Sequence, residues 1–254
     1  MRYLVALGLW FWACLGLASP LRIGVAPSAD AFVRSLAPGE NYGRAGGLSV
    51  SGDQALNRLG RQMGTLDTFM RFAVADAVAA FDDEFGAGRW AVVGATLELF
   101  EQGRPNNPIF NRGVGRLEVR WLANDDWLEG SGTPRSPAAD GVCFSDEAGL
   151  LDPAHDVSLA IAWNTGQDGP LEVELATAEE FLADIAAGGP VTLFLTAADP
   201  SLGFTFNSRN ITSNRPTPVL WLAAEAAPYV IPEPTALSVL GLGVALGAWR
   251  RVRK

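Results

Sequence analysis

The chain has 254 residues, of which 48% are hydrophobic and 19% charged, and its formal net charge at pH 7 is −9. Between Arg2 and Arg250 it carries fourteen arginines, no lysine and all twenty-eight acidic residues, a net charge of −14. Such a surface repels nucleic acid and anionic lipid. One histidine and two cysteines also argue against a zinc site of the usual ligand type.

The first eighteen residues have the features of a signal peptide. Arg2 supplies the positive charge, residues 4–17 form an apolar run, and small residues precede a cleavage position after Ala18. We therefore expect Sec-type export, with residues 1–18 removed. The mature chain would keep Cys143 as its one cysteine, so no intramolecular disulfide is expected.

The middle of the chain, residues 19–227, is dominated by short β-rich runs separated by turn residues. This pattern predicts an all-β fold, a single β-sandwich or jelly roll with one or two short helices. The ten predicted strands cover 31–34, 48–50, 69–74, 95–100, 115–121, 157–163, 171–175, 191–195, 203–206 and 218–222.

Two segments have helical patterns. One covers 76–85, and the other covers 181–187, where a capping box beginning at Thr177 would open the helix and Gly188 would end it. A long Pro/Gly-rich loop lies between these two segments, at 130–141. The strands on either side of this loop are alike, so we expect one domain.

The loop at 124–130 holds the richest polar cluster. Asp125, Asp126 and Glu129 offer hard oxygen ligands suited to Ca²⁺, and no other cofactor is expected. In the alternative interpretation the loop is a turn, in which the Asp side chains cap backbone N–H groups and Trp127 plugs the edge of the sandwich.

Aromatic residues in loops are candidates for glycan binding, because flat rings stack on pyranose faces. Tyr42 and Trp127 lie in predicted loops and are the candidates, with structural packing as the alternative. Trp121, Trp163 and Trp221 lie within or at the ends of predicted strands, so we expect them in the core or at strand ends.

Catalysis is not expected. The one histidine, His155, lies in a polar loop, and neither a Gly-x-Ser-x-Gly motif nor a phosphate-binding loop is present. Because carboxylates are abundant, a glycoside hydrolase or lyase stays a less favoured alternative.

The middle of the chain resembles the DNRLRE domain family. The resemblance rests on Ala29-Asp30, Asn41-Tyr42-Gly43, Trp127-Leu128-Glu129, Ser208-Arg209 and Pro218-Val219-Leu220, with Met70-Arg71-Phe72 and the strand from Ala95 to Leu99 in the expected order. The hexapeptide that names the family is not present. The resemblance implies a β-jelly roll on a surface protein, and some members of the family resemble or act as carbohydrate-binding modules.

The C-terminal segment, residues 228–254, has three elements in order. Pro232-Glu233-Pro234 comes first, then an apolar run over 236–249, then the basic residues Arg250, Arg251, Arg253 and Lys254. Fourteen residues span about 21 Å as a helix, short of a hydrocarbon core of ~30 Å. The basic end would stay on the cytoplasmic side.

This order resembles the PEP-CTERM sorting signal of Gram-negative bacteria. The resemblance implies transient anchoring in the inner membrane, cleavage by an exosortase near the Pro-Glu-Pro motif, and release to the cell surface or extracellular matrix. A plain tail anchor is the alternative. We therefore expect a non-catalytic exported protein that is structural or adhesive within exopolysaccharide, with a carbohydrate-binding module as the alternative function.

Overall fold

A computed structural model describes residues 19–57, 59–101, 113–166, 169–212 and 214–228. The predicted signal peptide and the three-part C-terminal segment from Pro232 onward lie outside the described residues. The described residues form two antiparallel β-sheets and three short α-helices, so the all-β prediction is confirmed.

The described strands follow the predicted ones closely. Each of the ten predicted runs overlaps an observed strand, and β1 was not predicted. The strands are β1 (Leu21–Val25), β2 (Pro27–Arg34), β3 (Gly47–Ser51), β4 (Leu66–Ala73), β5 (Trp90–Phe100), β6 (Gly115–Leu122), β7 (Val157–Asn164), β8 (Pro170–Leu175), β9 (Pro190–Ala197), β10 (Gly203–Asn207) and β11 (Val219–Ala226).

The smaller sheet, sheet A, has four strands in the order β1-β11-β5-β8. The larger, sheet B, has seven strands: six in the order β10-β3-β4-β9-β6-β7, and β2, which pairs with β4. The chain passes from sheet A to sheet B across Ala26 alone, between β1 and β2. The loop at 130–141 does not separate two sheets, because β6 before it pairs with β7 and β9 after it.

One hydrophobic core joins the two sheets in a sandwich-like arrangement. Sheet A contributes fully buried leucines such as Leu97 and Leu222, and sheet B contributes Leu48, Phe72 and Val119. These residues alternate with outward-facing ones along their strands, which is the pattern from which the strands were predicted.

A second hydrophobic cluster lies on the other face of sheet B. Loop residues Trp127, Val142 and Leu150 pack there against strand residues such as Phe69 and Phe194. Sheet B is therefore covered on both faces where this loop crosses it.

The helices are α1 (Ala75–Phe85), α2 (Glu147–Leu150) and α3 (Glu179–Ala187). The two predicted helices correspond to α1 and α3. The predicted capping box is wrong, because α3 begins after Ala178 and no side chain caps it. Gly188 ends α3 in the left-handed conformation (φ 73°), as expected for a glycine at this position. None of the helices in the described part of the chain is long and apolar enough to span a bilayer.

Candidate functional site

Polar side chains from distant parts of the chain meet beside β2. Glu129 accepts two hydrogen bonds from the guanidinium of Arg209, from Nε (2.7 Å) and Nη2 (2.8 Å). The backbone amide of Asp30 (3.1 Å) and Nδ2 of Asn210 (3.0 Å) also donate to Glu129. Burial alone would raise the pKa of Glu129, but these donors outweigh burial and hold the pKa below its ordinary value.

Asp30 is the fully buried acid of this group. Its carboxylate accepts hydrogen bonds from the Ser208 hydroxyl and from the Arg209 backbone amide, both at 2.7 Å. Burial raises the pKa of Asp30 to about 6, although the two hydrogen bonds oppose the shift. Asp30 thereby joins β2 to the turn that follows β10.

Asn41 completes the group. Its Nδ2 donates to the carbonyls of Glu129 and Val142, both at 2.8 Å, and its Oδ1 accepts from the amides of Gly43 (3.0 Å) and Gly132 (3.1 Å). The amide therefore uses both donors and both acceptor positions. We call this group the polar cluster, defined as Asp30, Asn41, Glu129, Ser208, Arg209 and Asn210.

Trp127 is 4% exposed and does not present a ring face to solvent. Its indole N–H donates to the Thr192 hydroxyl (3.1 Å), and its ring packs against Phe69. The guanidinium of Arg71 lies 4.9 Å from the ring centroid and donates to the carbonyls of Asp125 (2.9 Å) and Trp127 (3.0 Å). Trp127 therefore anchors its loop to sheet B, as the packing alternative describes.

Tyr42 is also 4% exposed. Its ring stacks on Phe32 with centroids 4.6 Å apart, and its hydroxyl donates to Glu40. Burial and this hydrogen bond raise the pKa of Tyr42 to about 12. Neither predicted glycan-binding ring is available for stacking on a sugar, because both are enclosed by the protein.

The three predicted calcium ligands take separate partners. Asp125 accepts a hydrogen bond from the Thr192 hydroxyl (2.6 Å), Asp126 is exposed, and Glu129 pairs with Arg209. Within the ranges that the structure describes, no group of three or more His, Cys, Asp or Glu side chains is placed to hold a metal ion. The carboxylates do not converge, because Asp125 and Glu129 bond to different parts of the chain and Asp126 is exposed.

Asp67 and Glu147 form a carboxyl pair on the outer face of sheet B, beside α2. Asp67 is 1% exposed, and burial raises its pKa to about 6. Burial and the charge of Asp67 raise the pKa of Glu147 to about 8. Asp67 Oδ1 and Glu147 Oε2 are buried without a hydrogen-bond partner among the described residues. Because Asp67 is enclosed, the pair does not offer two accessible carboxylates, which a hydrolase would need on either side of a sugar.

His155 lies in an exposed turn, where its Nδ1 is 2.7 Å from Asp152 Oδ2. This carboxylate raises the pKa of His155. Cys143 is partly exposed, and its thiol lies 3.0 Å from Asp146 Oδ2. The described hydrogen bonds do not join the histidine to a serine or cysteine nucleophile.

A groove of about 610 Å³ lies between α1, α3 and the start of β5, and all three elements line it. Its aromatic wall is Trp90, which is half-buried and packs against Phe81 with centroids 5.1 Å apart. The indole N–H of Trp90 donates to Asp82 Oδ1 at 2.6 Å. The remaining walls are mainly apolar, with polar groups from Asp82, Thr177 and Glu179; the apolar residues are Val78, Ala91, Val92, Leu182, Ala183 and Ala186.

Sequence reasoning missed this groove, although it predicted both helices that form it. Trp90 is the first residue of β5 and follows the glycine-rich turn after α1, so a tryptophan at a helix-to-strand junction was the available signal. What the sequence does not reveal is that α1 and α3 flank the same strand.

Trp163 lies next to the end of β7, as the strand-end interpretation allows, but it is 56% exposed and therefore not a core residue, and nearby Ile161 is 60% exposed. The pairing of β6 with β7 shifts by one residue at Leu159. A bulge reverses the alternation of a strand. Ala160 and Ala162 therefore pack on the core, and the larger residues between and after them face outward.

The other two strand tryptophans differ from each other. Trp121 is buried as expected, with its indole N–H donating to Asp184 (2.8 Å). Trp221 is half-buried on the outer face of sheet A, where Arg22 lies 4.6 Å from its ring centroid and Glu98 accepts its indole N–H (2.9 Å).

Comparison with known proteins does not assign the chain to a group. No family model matches it, and no curated protein matches it.

Proposed function

We propose that the chain is an exported, non-catalytic protein that an exosortase sorts to the cell surface or the extracellular matrix. Its tail holds it in the inner membrane until cleavage near Pro232-Glu233-Pro234. The β-rich domain then serves as a structural or adhesive component of exopolysaccharide.

The observation that carries this proposal is the order of three elements at the C-terminus. The Pro-Glu-Pro motif precedes an apolar run over 236–249, which is marginal in length for a bilayer, and the basic residues from Arg250 follow it. The first eighteen residues, which have the features of a signal peptide, agree with export.

The test is mass spectrometry of the extracellular protein from a Gram-negative host that has an exosortase. We expect peptides from the domain and none from Leu237 onward. Replacing Pro232, Glu233 and Pro234 together by alanine should retain the protein in the membrane fraction with its tail intact. The control variant Glu225→Ala, on an exposed strand end, should be cleaved normally. Intact tail peptides in mature extracellular protein would contradict the proposal.

For the domain, we propose a DNRLRE-like jelly roll. The proposal draws support from the polar cluster. Four of the motifs that carry the resemblance are far apart in sequence but contribute residues to this cluster: Asp30, Asn41, Glu129 and Arg209. These residues form hydrogen bonds with one another or with each other's neighbours. Residues that carry a resemblance and also meet in space act as one structural unit.

The alternative function is a carbohydrate-binding module. The groove beside Trp90 is a better candidate for its binding site than Tyr42 and Trp127, because both of these loop rings are buried. The hydrolase or lyase alternative receives no such support, because Asp67 of the Asp67–Glu147 pair is buried.

A further inference from the structure

We propose that the groove between α1, α3 and the start of β5 binds a neutral or amino-sugar glycan, with Trp90 as its stacking residue. This inference rests on the adhesive role proposed above, and it gives that role a site and a ligand class. The site differs from the loop residues Tyr42 and Trp127, which are buried.

Trp90 is held in position before any ligand arrives. Its indole N–H is bound by Asp82 at 2.6 Å, and its ring packs against the buried ring of Phe81. Asp82 itself is fixed by α1 and also accepts from the Gly88 amide (3.3 Å). A preset aromatic wall costs little conformational entropy on binding.

The polar groups of the groove select a ligand rich in hydrogen-bond donors. Asp82 and Glu179 are acceptors when ionised, and Thr177 can donate or accept. No described residue donates to Asp82 Oδ2, so this oxygen is available. A pyranose unit offers hydroxyl donors around its rim and an apolar C–H face for the indole, and an amino sugar adds an ammonium donor.

Charge and size exclude other ligand classes. None of the residues that line the groove is basic, and the chain as a whole is acidic. Polyanionic glycans are therefore disfavoured. A volume of about 610 Å³ lies within the range of ~300–1,000 Å³ that is typical of small-molecule sites. A stable protein partner would need a surface of ~800 Å², larger than this concave site offers.

The experiment measures binding of the full chain to three oligosaccharide probes: a neutral glucose hexamer, a glucosamine hexamer and a galacturonate hexamer. Ala183 lines the groove on the exposed side of α3, so Ala183→Trp fills the groove without removing core contacts. Ala187 is exposed on the same helix and does not line the groove, so Ala187→Trp is the matched control. Trp90→Ala removes the stacking ring, and Trp90→Phe keeps an aromatic face.

We expect the neutral or the glucosamine hexamer to bind and the galacturonate hexamer to bind at least about tenfold more weakly. Ala183→Trp and Trp90→Ala should each weaken binding about tenfold or more, Trp90→Phe less, and Ala187→Trp should bind as the unmodified chain does. If Trp90→Ala fails to fold by circular dichroism, Ala183→Trp carries the test.

Unchanged affinity in Ala183→Trp, preference for the galacturonate hexamer, or no binding to any of the probes would overturn the inference. Each of these results would leave the sorting proposal standing if the tail is still cleaved. Retention of the tail together with groove-dependent binding would instead overturn the sorting proposal alone.

Discussion

Asp67 provides the sharpest test of the electrostatics of this fold. The residue is 1% exposed on β4, and burial raises its pKa from 3.8 to about 6. The folded chain therefore holds this proton more tightly than the unfolded chain does. The resulting stabilisation is fully present below pH 3.8 and is lost as the pH rises to about 6. A shift of about 2 pKa units corresponds to about 3 kcal/mol of unfolding free energy.

The perturbation is Asp67→Asn, which keeps the shape of the side chain and removes its charge. We expect the unfolding free energy of this variant, relative to the unmodified chain, to rise by at least about 3 kcal/mol between about pH 4 and about pH 7, because the variant also removes the charge that raises the pKa of Glu147. Any pH-independent cost of the amide cancels in this difference. Urea unfolding followed by tryptophan fluorescence at both pH values gives the measurement.

The control for this prediction is Asp199→Asn, because Arg116 lowers the pKa of Asp199. A carboxylate with a lowered pKa contributes stability at high pH that is lost on acidification. Asp199→Asn should therefore become less stable, relative to the unmodified chain, as the pH rises. Parallel pH profiles for the unmodified chain and Asp67→Asn would show that Asp67 is not a desolvated charge, and would refute the reasoning.

Three further substitutions test the packing described above, each by chemical denaturation at neutral pH. Arg209→Ala removes both guanidinium donors of Glu129 and should cost about 2 kcal/mol, whereas Arg116→Ala, at an exposed ion pair, should cost clearly less. Gly43→Ala places a Cβ against a backbone carbonyl and should cost about 1 to 3 kcal/mol, while Gly39→Ala meets open space and should be neutral. Trp127→Ala empties the second hydrophobic cluster and should cost about 3 to 5 kcal/mol; a loss under about 1 kcal/mol would contradict its anchoring role.

Strands and helices of this chain were accessible to sequence reasoning because each depends on local periodicity. Strand alternation identifies β6 at 115–121 and β8 at 171–175 without reference to the rest of the chain. β1 was missed because it is five residues long, follows the apolar N-terminus, and contains Gly24. The assignment of strands to two sheets depends on pairing across more than a hundred residues, which local patterns do not encode.

The candidate site was less accessible, because the exposure of a side chain depends on tertiary contacts. Trp127 lies in a loop of turn residues, where the sequence left both glycan binding and packing open, and the ring is buried because the loop folds back over sheet B. Trp163 lies in an apparently regular strand, but the bulge at Leu159 turns it outward. Trp90 lines a groove only because α1 and α3 lie on either side of it in the folded chain. In all three cases, the neighbours that decide exposure are distant in sequence.

The pairing of β1 with β11 has a consequence for the timing of folding. β1 and β11 are the first and the last of the described strands, and in sheet A β11 lies between β1 and β5 and pairs with both. Closing a sheet across such a separation is slow, because the entropy of a long loop is lost before the pairing contacts form. Sheet A therefore cannot close until β11 is available to pair with both β1 and β5. The strand order therefore makes the completion of sheet A a late step of folding.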